Sequence, residues 1–251
     1  MSRVPSDRVA LVTGASRGLG AAIARRLARD GLPVAVNYHR SAELAEALAA
    51  GLRDEGAAAE AFGADVTDAA GVRALVEAVE DRLGPIGVLV LNATGPQPEA
   101  PLEQTGWDRH AAHLDFFVKS PVLLGLAVLE GMKRRSFGRI VHIGSDVIAR
   151  PPAAQSAYVA AKSAQLGLAR VWAVDLARFG ITVNTVAPGW IPVERHAGAP
   201  TAALEAHRAS VPAARLGVPD DVAETVRFLA SPEAGFVTGQ LVYVNGGRVL
   251  G

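Results

Sequence analysis

The stretch TGASRGLG at residues 13–20 directly follows the apolar run Val9–Val12 and leads into a helical pattern. A glycine-rich turn between a strand and a helix lets the backbone come close to a pyrophosphate. The first turn of the helix then offers free N–H groups and the positive end of the helix dipole. The same turn also fits an ordinary tight connection that binds nothing, so its meaning depends on the elements around it.

Short runs rich in Val, Ile and Leu recur between longer amphipathic segments, as is typical of strands and helices that alternate around a parallel sheet. The runs are apolar at successive positions, which indicates strands buried on both faces. We therefore predict an α/β fold with a doubly wound, parallel, seven-stranded sheet of the Rossmann type and helices on both faces. The predicted strands are Val9–Val12, Val34–Tyr38, Ala59–Phe62, Val88–Leu91, Arg139–Ile143, Thr182–Ala187 and Leu241–Val244.

Helical stretches separate these strands, and the fourth is expected to bend near Pro121. The predicted helices are Gly18–Arg29, Ala42–Arg53, Ala69–Arg82, Trp107–Arg134, Ala157–Arg178 and Asp220–Ala230. The proline-containing segment from Trp190 to Leu216 breaks the alternation. Connections of this length are usually functional, so we expect a substrate loop or lid at about residues 190–216.

The composition bounds the kinds of site and partner. A chain of 251 residues suits one catalytic domain, spanning residues 1–251, because α/β folds of this length form single units. Lys and Arg together number 25, as do Asp and Glu, so the basic excess of a nucleic-acid-binding protein is missing. The chain has no cysteine, which excludes disulfides and zinc–thiolate sites, and no metal-ligand spacing such as His-Glu-x-x-His.

Neither a secretion signal nor a membrane span is expected. Residues 1–8 lack the apolar core of a signal peptide. The longest apolar stretch, Val122–Leu129, is shorter than the ~20 residues that cross a bilayer. We therefore expect a soluble cytoplasmic protein whose partners include neither membranes nor nucleic acid.

The end of the second predicted strand indicates which nicotinamide dinucleotide the glycine-rich turn would bind. A site for NAD places a carboxylate there to accept hydrogen bonds from the ribose 2′-hydroxyl, but this strand ends in Tyr38, His39 and Arg40. Arg40, together with Arg17 inside the turn, would attract a 2′-phosphate. The two arginines favour NADP(H), although either one alone also fits a solvated surface side chain.

A serine, a tyrosine and a lysine follow the fifth predicted strand. Ser145 lies at its carboxyl end, where open α/β sheets bind their ligands. Tyr158 and Lys162 are four residues apart and share one face of the next helix, so the ammonium can stabilise a phenolate. A free phenol titrates near ~10, and this help would suit Tyr158 for acid–base work at neutral pH. Taken singly, they also fit a partly buried tyrosine and a solvated lysine.

Together these motifs resemble the short-chain dehydrogenase/reductase family, and the likeness covers residues 7–248. Within that family, the chain is most similar to the branch of 3-oxoacyl-[acyl-carrier-protein] reductases and related carbonyl reductases. The combination is specific for the fold and cofactor class and says little about the substrate. The motifs occur in the family's order as Thr13-Gly-x-x-x-Gly-x-Gly, Asp65-Val66, Asn92-Ala93, Ser145, Tyr158-x-x-x-Lys162, Asn184, Pro188-Gly189, Thr238-Gly239-Gln240 and Asn245-Gly246-Gly247.

The resemblance implies a role for each matching residue. Tyr158 would be the general acid in carbonyl reduction, Lys162 would assist it and bind the nicotinamide ribose, and Ser145 would polarise the carbonyl. The implied cofactor contacts come from Gly14, Ser16, Arg17, Gly18, Leu19, Gly20, Tyr38, His39, Arg40, Asp65, Val66, Asn92, Ala93, Tyr158, Lys162, Pro188, Gly189 and Ile191. A homotetramer is implied as well, paired through the stretches Trp107–Arg134 and Ala157–Arg178 and through the C-terminal strand with its helix.

Two loops next to the expected cofactor depart from the family's pattern. After the fourth strand the chain reads LNAT at residues 91–94, with Gly95 one place later than in the family. After Pro188-Gly189 the family usually has a threonine that holds the carboxamide, whereas this chain reads Trp190-Ile191-Pro192-Val193. The nicotinamide would then rest on backbone groups.

The family's catalytic asparagine, which holds a water that feeds protons to the lysine, has no counterpart. Its position falls on Phe117 when counted back from the fifth strand and on Leu114 when counted forward from Trp107. Either a different relay operates through His113 or Asp115, or turnover is slow. A simpler interpretation is that His113, Asp115 and His196 are ordinary side chains on the protein surface.

The sequence thus predicts an NADP(H)-dependent oxidoreductase that moves a hydride between the nicotinamide and a carbonyl or secondary alcohol. Its partner would be a small-molecule carbonyl or acyl substrate. The alternative is an NADP(H)-binding protein with little catalysis, such as a sensor or scaffold. Ser145, Tyr158 and Lys162 favour the enzyme, whereas the missing asparagine favours the alternative.

Overall fold

Seven parallel strands form one sheet in the computed structural model, which describes residues 8–250. They are β1 (Val9–Val12), β2 (Val34–Tyr38), β3 (Ala59–Gly63), β4 (Ile86–Leu91), β5 (Gly138–Ile143), β6 (Ile181–Pro188) and β7 (Leu241–Val244), in the spatial order β3-β2-β1-β4-β5-β6-β7. The strand order reverses between β1 and β4, the point at which doubly wound sheets bind ligands. This confirms the predicted fold class.

Helices cover both faces of the sheet. They are α1 (Gly18–Arg29), α2 (Ala42–Asp54), α3 (Ala69–Arg82), α4 (Trp107–Leu114), α5 (Ser120–Arg134), α6 (Ser156–Leu176), α7 (Thr201–Ala209) and α8 (Pro219–Ala230). Side chains of α1, α2 and α8 form one core with the strands, and side chains of α3, α5 and α6 form a second core on the other face. Val88 and Val90 belong to the first core and Leu89 and Leu91 to the second, because side chains alternate along a strand.

The predicted helical stretch Trp107–Arg134, with Pro121 in the first turn of α5, is not one continuous α-helix. Instead, α4 continues into a π-helical segment, Asp115–Lys119, which leads directly into α5. A π-turn shifts the side chains around the helix and is often found at functional sites. Here it contains Phe117, whose side chain is 2% exposed.

By length and composition this stretch is also apolar enough to cross a membrane, with a mean hydropathy of 1.5 over its most apolar window. In the structure, however, Leu124, Val128 and Met132 of α5 are almost completely buried in the second core. Packing against the sheet therefore accounts for part of this apolar composition, while Leu126 remains 64% exposed.

The segment at residues 190–216 holds more regular structure than the predicted loop. It contains a 3₁₀ turn, Glu194–His196, and the helix α7, which buries none of its residues. An exposed helix lacks the apolar periodicity that identifies a helix in a sequence. The segment follows β6 directly and so begins at the carboxyl edge of the sheet.

Candidate active site

The glycine-rich turn between β1 and α1 has the conformation that its glycines predict. Gly14 and Gly18 have φ angles of +62° and +59°, a region that other residues rarely adopt. A Cβ on Gly20 would lie 2.5 Å from the carbonyl oxygen of Gly14 and 2.6 Å from Nδ2 of Asn92. The tight turn leaves the N-terminus of α1 at the carboxyl edge of the sheet, as an anion site requires.

Hydrogen bonds tie this turn to the neighbouring strand β4. The side-chain amide of Asn92 donates to the carbonyl oxygens of Thr13 at 2.9 Å and Gly14 at 3.1 Å. The hydroxyl of Thr13 donates to the carbonyl oxygen of Val90 at 3.1 Å and accepts the backbone N–H groups of Asn92 and Ala93, both at 3.0 Å. The two strands at the reversal point are thus fixed to each other.

Asn37 on β2 also holds the turn, and the sequence analysis did not identify it. Its side-chain oxygen Oδ1 accepts the N–H of Gly14 at 3.3 Å, and its side-chain Nδ2 donates to the carbonyl oxygens of Phe62 at 3.2 Å and Ala64 at 3.3 Å. It is 2% exposed, and a buried amide needs such partners. An asparagine within an otherwise apolar strand was the signal that could have revealed it.

The predicted 2′-phosphate corner lies where β1 and β2 end. Arg17, the residue before α1, is exposed, and so is Arg40 just after β2. The ring of Tyr38 packs over Gly63, whose Cβ would lie 3.0 Å from the tyrosine hydroxyl. Both guanidinium groups are therefore open to a ligand from solvent.

Asp65 and Val66 follow β3 at the same edge of the sheet, and Val66 is buried. Thr67 donates its backbone N–H at 2.9 Å and its hydroxyl at 2.7 Å to the Asp65 carboxylate. Partial burial opposes ionisation, but these hydrogen bonds and the nearby charge of His39 lower the pKa of Asp65 below its ordinary value. Nε2 of His39 lies 3.8 Å from the carboxylate, so Asp65 is kept ionised at this corner.

Ser145 and Tyr158 come from two elements that meet the same edge. Ser145 follows β5 and is 9% exposed, and its Oγ accepts the N–H of Val147 at 3.4 Å. Tyr158 lies in the first turn of α6 and is half-buried. The carboxyl end of β5 and the N-terminus of α6 therefore supply the two hydroxyl groups that the sequence predicted.

Lys162, one turn further along α6, is buried and not solvated, with 5% of its surface exposed. Its Nζ donates to the carbonyl oxygen of Ile143 at 2.6 Å and to Oε1 of Gln165 at 3.1 Å. The same Nζ lies 5.9 Å from the centroid of the Tyr158 ring. A buried ammonium requires such oxygen acceptors, and β5 and α6 provide them.

Phe117, the position that counting back from β5 gives for the missing asparagine, lies beside this ammonium. Its ring centroid is 3.9 Å from Nζ of Lys162 and 5.5 Å from the ring centroid of Tyr158. Counting back from β5 therefore identified the position in contact with the lysine.

His113 is buried, so the predicted surface position is wrong for this residue. It is 5% exposed, its Nδ1 lies 2.8 Å from the carbonyl oxygen of Arg109, and its ring centroid is 6.1 Å from that of Tyr158. Its Nε2 has no hydrogen-bond partner among residues 8–250. Asp115, by contrast, is 52% exposed and pairs with Lys119 at 3.7 Å.

Beyond Pro188-Gly189 the chain lines a cavity of about 300 Å³. Ile191 is buried there, and the ring of Trp190 meets the rings of His196 and His207 edge-on at centroid distances of 5.9 Å and 5.3 Å. His196 is half-buried. This packing fixes the part of the 190–216 segment that is nearest to the site.

The same segment reaches back to the glycine-rich turn. A Cβ on Gly18 would lie 3.3 Å from Oε2 of Glu194 and 3.5 Å from Cβ of Val193. The residues after β6 therefore lie over the N-terminus of α1.

An ion pair joins the residue after Ser145 to the end of the chain. Asp146 is 3% exposed, and its carboxylate lies 3.2 Å from a guanidinium nitrogen of Arg248. Burial raises the pKa of Asp146 although the charge of Arg248 opposes this. The contact ties the loop that carries Ser145 to the segment after β7.

Comparison with known proteins identifies the family. A family model described as enoyl-(acyl carrier protein) reductase matches residues 14–248. The chain belongs to the short-chain dehydrogenase/reductase family. The resemblance inferred from the sequence is therefore confirmed.

Relatives of this short-chain dehydrogenase/reductase include the 3-oxoacyl-[acyl-carrier-protein] reductase FabG of Vibrio cholerae, 38% identical over 97% of this chain and 98% of FabG. The short-chain reductase protein NovJ of Streptomyces niveus is 37% identical over 98% of this chain and 95% of NovJ. Among solved structures, a gluconate 5-dehydrogenase from Burkholderia cenocepacia in complex with NADP and tartrate has a TM-score of 0.89 and is 35% identical. That match covers 96% of this chain and 94% of the other.

Proposed function

We propose that this oxidoreductase is an NADP(H)-dependent carbonyl reductase similar to 3-oxoacyl reductases, in which residues 1–251 form one catalytic domain. The observation that carries the proposal is the placement of Tyr158 and the buried Lys162 one turn apart on α6, at the edge of the sheet where Ser145 follows β5. The glycine-rich turn lies at the same edge of the sheet. A hydride donor and a proton donor bound there would reach one carbonyl group from two sides.

The residues at the reversal point fit a dinucleotide. The backbone of Gly14 and Gly18 is in the left-handed region, and no Cβ fits at Gly20, as expected of a turn that admits a pyrophosphate. The other residues that would hold the cofactor are Ser16, Arg17, Leu19, Tyr38, His39, Arg40, Asp65, Val66, Asn92, Ala93, Tyr158, Lys162, Pro188, Gly189 and Ile191. Bound NADPH would supply the hydride to the carbonyl carbon, and NADP⁺ would accept it in the reverse reaction.

The exposed guanidinium groups of Arg17 and Arg40 support NADP(H) over NAD(H), because both are available to a 2′-phosphate. The gluconate 5-dehydrogenase of similar structure was solved with NADP. The side chain at the end of β2 is Tyr38, which offers no carboxylate to a 2′-hydroxyl.

The chain's own residues would manage the proton. Tyr158 donates its hydroxyl proton to the carbonyl oxygen as negative charge develops there, which stabilises the transition state more than the ground state. The Lys162 ammonium stabilises the phenolate that remains. Ser145 donates a hydrogen bond to the same oxygen and orients it.

The substrate would be a small-molecule carbonyl or acyl compound held under the segment at residues 190–216. The 3-oxoacyl-[acyl-carrier-protein] reductases among the relatives support a 3-oxoacyl group, and the placement of Glu194 over Gly18 supports a lid. The aromatic cluster of Trp190, His196 and His207 would line the substrate side of that lid.

We also propose a homotetramer in the cytoplasm. Leu126 on α5 and Val171 and Val174 on α6 are 64%, 59% and 79% exposed, and Phe236 before β7 is completely exposed. Apolar side chains exposed on neighbouring elements are typical of surfaces that pair with another subunit. The two groups lie on different parts of the chain, which suits two kinds of subunit contact.

The second candidate is a protein that binds NADP(H) with little catalysis. It is favoured by one observation, the phenyl ring of Phe117 against Lys162 where the family has an asparagine. One experiment separates the candidates: a panel of 3-oxoacyl thioesters, keto acids and cyclic ketones assayed by NADPH absorbance. Turnover of any member supports the reductase, whereas tight NADPH binding without turnover supports the silent binder.

A further inference from the structure

The Lys162 ammonium has an amide neighbour that none of the motifs contains. Oε1 of Gln165 lies 3.1 Å from Nζ, on the same face of α6, three residues further on. Because an ammonium has no acceptor, the amide must present its oxygen and not its nitrogen. Gln165 therefore acts on the lysine as a hydrogen-bond acceptor.

The burial of Gln165 makes this contact informative. The side chain is 2% exposed on a helix face whose other buried members include Ala161, Ala169 and Ala173. An amide in such a place costs free energy unless it is hydrogen-bonded, so an apolar residue would pack there at lower cost. A hydrogen bond to a charged group is among the stronger ones and offsets the loss of hydration.

Phe117 explains why an extra acceptor matters here. Its ring faces Nζ at 3.9 Å, and a phenyl ring attracts a cation without accepting a directional N–H···O bond. The carbonyl oxygen of Ile143 and Oε1 of Gln165 each accept an N–H group of the ammonium.

We propose that Gln165 is a positioning residue that holds the Lys162 ammonium charged and oriented toward Tyr158, in a site where Phe117 has replaced the family's asparagine. The inference deepens the proposed function and rests on it for its kinetic consequence. The titratable groups on the surrounding elements include Tyr158 on α6, His142 on β5 and His113 on α4.

The direct test measures the titration of Lys162 in the full chain. The protein has three lysines, Lys119, Lys133 and Lys162, so ¹³Cε-lysine labelling gives three resonances. The variants Lys119→Arg and Lys133→Arg assign them. In Gln165→Leu, which keeps the volume and removes the acceptor, the midpoint for Lys162 should lie about one pH unit below that of the wild type, the size of one charge-assisted hydrogen bond.

A second variant, Gln165→Glu, should shift the Lys162 midpoint in the opposite direction. Gln165→Glu keeps an oxygen at this place and adds a negative charge, so the Lys162 midpoint should rise above that of the wild type. Gln240→Leu, the same change at an exposed glutamine before β7, is the matched control and should leave the midpoint unchanged. A merely structural role for Gln165 predicts shifts of one sign, or none, in both variants.

The pH dependence of kcat tests how Gln165 affects the ionisation of Tyr158. In alcohol oxidation the phenolate of Tyr158 acts as the base. The rising limb of kcat against pH should therefore move to higher pH in Gln165→Leu. At alkaline pH kcat should return toward the wild-type value, and KM should change little. If the wild type turns over no alcohol or carbonyl, the proposed function fails, while the lysine titration still decides this inference. A Lys162 midpoint that is the same in Gln165→Leu and the wild type overturns the inference.

Discussion

The ring of Phe117 meets the ring of Tyr158 edge-on, with centroids 5.5 Å apart and planes at 74°, and the same phenyl group covers the ammonium of Lys162. An aromatic pair of this geometry stabilises the position of both rings. The face of the ring also keeps water from one side of the buried charge. Packing against Phe117 therefore helps to hold Tyr158 and Lys162 in place. An asparagine at this position would instead have offered them a side-chain amide.

Replacing Gly20 with Ala should damage the cofactor site. The new Cβ would lie 2.5 Å from the carbonyl oxygen of Gly14, so the turn must open, and overpacking of this kind costs about 1–3 kcal/mol. We expect NADPH affinity to fall by ~10-fold or more in a fluorescence titration. Gly51→Ala on α2, where a Cβ meets nothing within 4 Å, is the control and should bind NADPH normally.

The preference for NADP(H) should depend on Arg40. Arg40→Ala removes a cation that would contact the 2′-phosphate, and the loss of one charge-assisted contact should weaken NADPH by ~10-fold while leaving NADH unchanged. Arg134→Ala, at the far end of α5, serves as the control. Tighter binding of NADH than of NADPH to the wild type would contradict the assignment.

His142 should make the fold sensitive to acid. Complete burial, with a contribution from the charge of Lys162, lowers the pKa of His142 from 6.5 to about 3. Between pH 6.5 and 3, His142 binds a proton in the unfolded state and not in the folded state. The free energy of unfolding is therefore highest above pH 6.5 and decreases as the pH falls toward 3. The expected slope reaches about 1.4 kcal/mol per pH unit.

Urea unfolding between pH 4 and pH 7 measures that slope. His142→Leu cannot bind the proton and should show a shallower loss of stability in acid. His39→Gln removes a histidine that is 51% exposed and should retain the steep dependence. Equal slopes in His142→Leu and the wild type would refute the burial argument.

Light scattering tests the proposed tetramer. The wild type should have a mass of about four times the 26.0 kDa chain at micromolar concentration. Val174→Glu places a charge on the exposed apolar face of α6 and should reduce the mass, because burying an unpaired charge in an interface is unfavourable. A monomeric wild type would contradict the proposal.

The sequence predicts well what depends on local pattern. The strands, the glycine-rich turn and the spacing of Tyr158 and Lys162 follow from periodicity and chain geometry, and the structure places these elements as expected. The π-helical segment at Asp115–Lys119 depends on packing against α6 and so leaves no periodic signal. The roles of Asn37 and Gln165 depend on which backbone groups lie opposite them, and only the folded chain shows those partners.

In the proposed reaction Tyr158 delivers the proton to the carbonyl oxygen, and one substitution removes that proton alone. Tyr158→Phe keeps the ring that packs against Phe117 and removes only the hydroxyl, so the melting temperature and the NADPH affinity should match those of the wild type. The measurement is kcat on the best carbonyl substrate of the panel. We predict a loss of ~10²-fold or more, the usual scale for a missing general acid, whereas a rate close to that of the wild type would show that Tyr158 is not the proton donor.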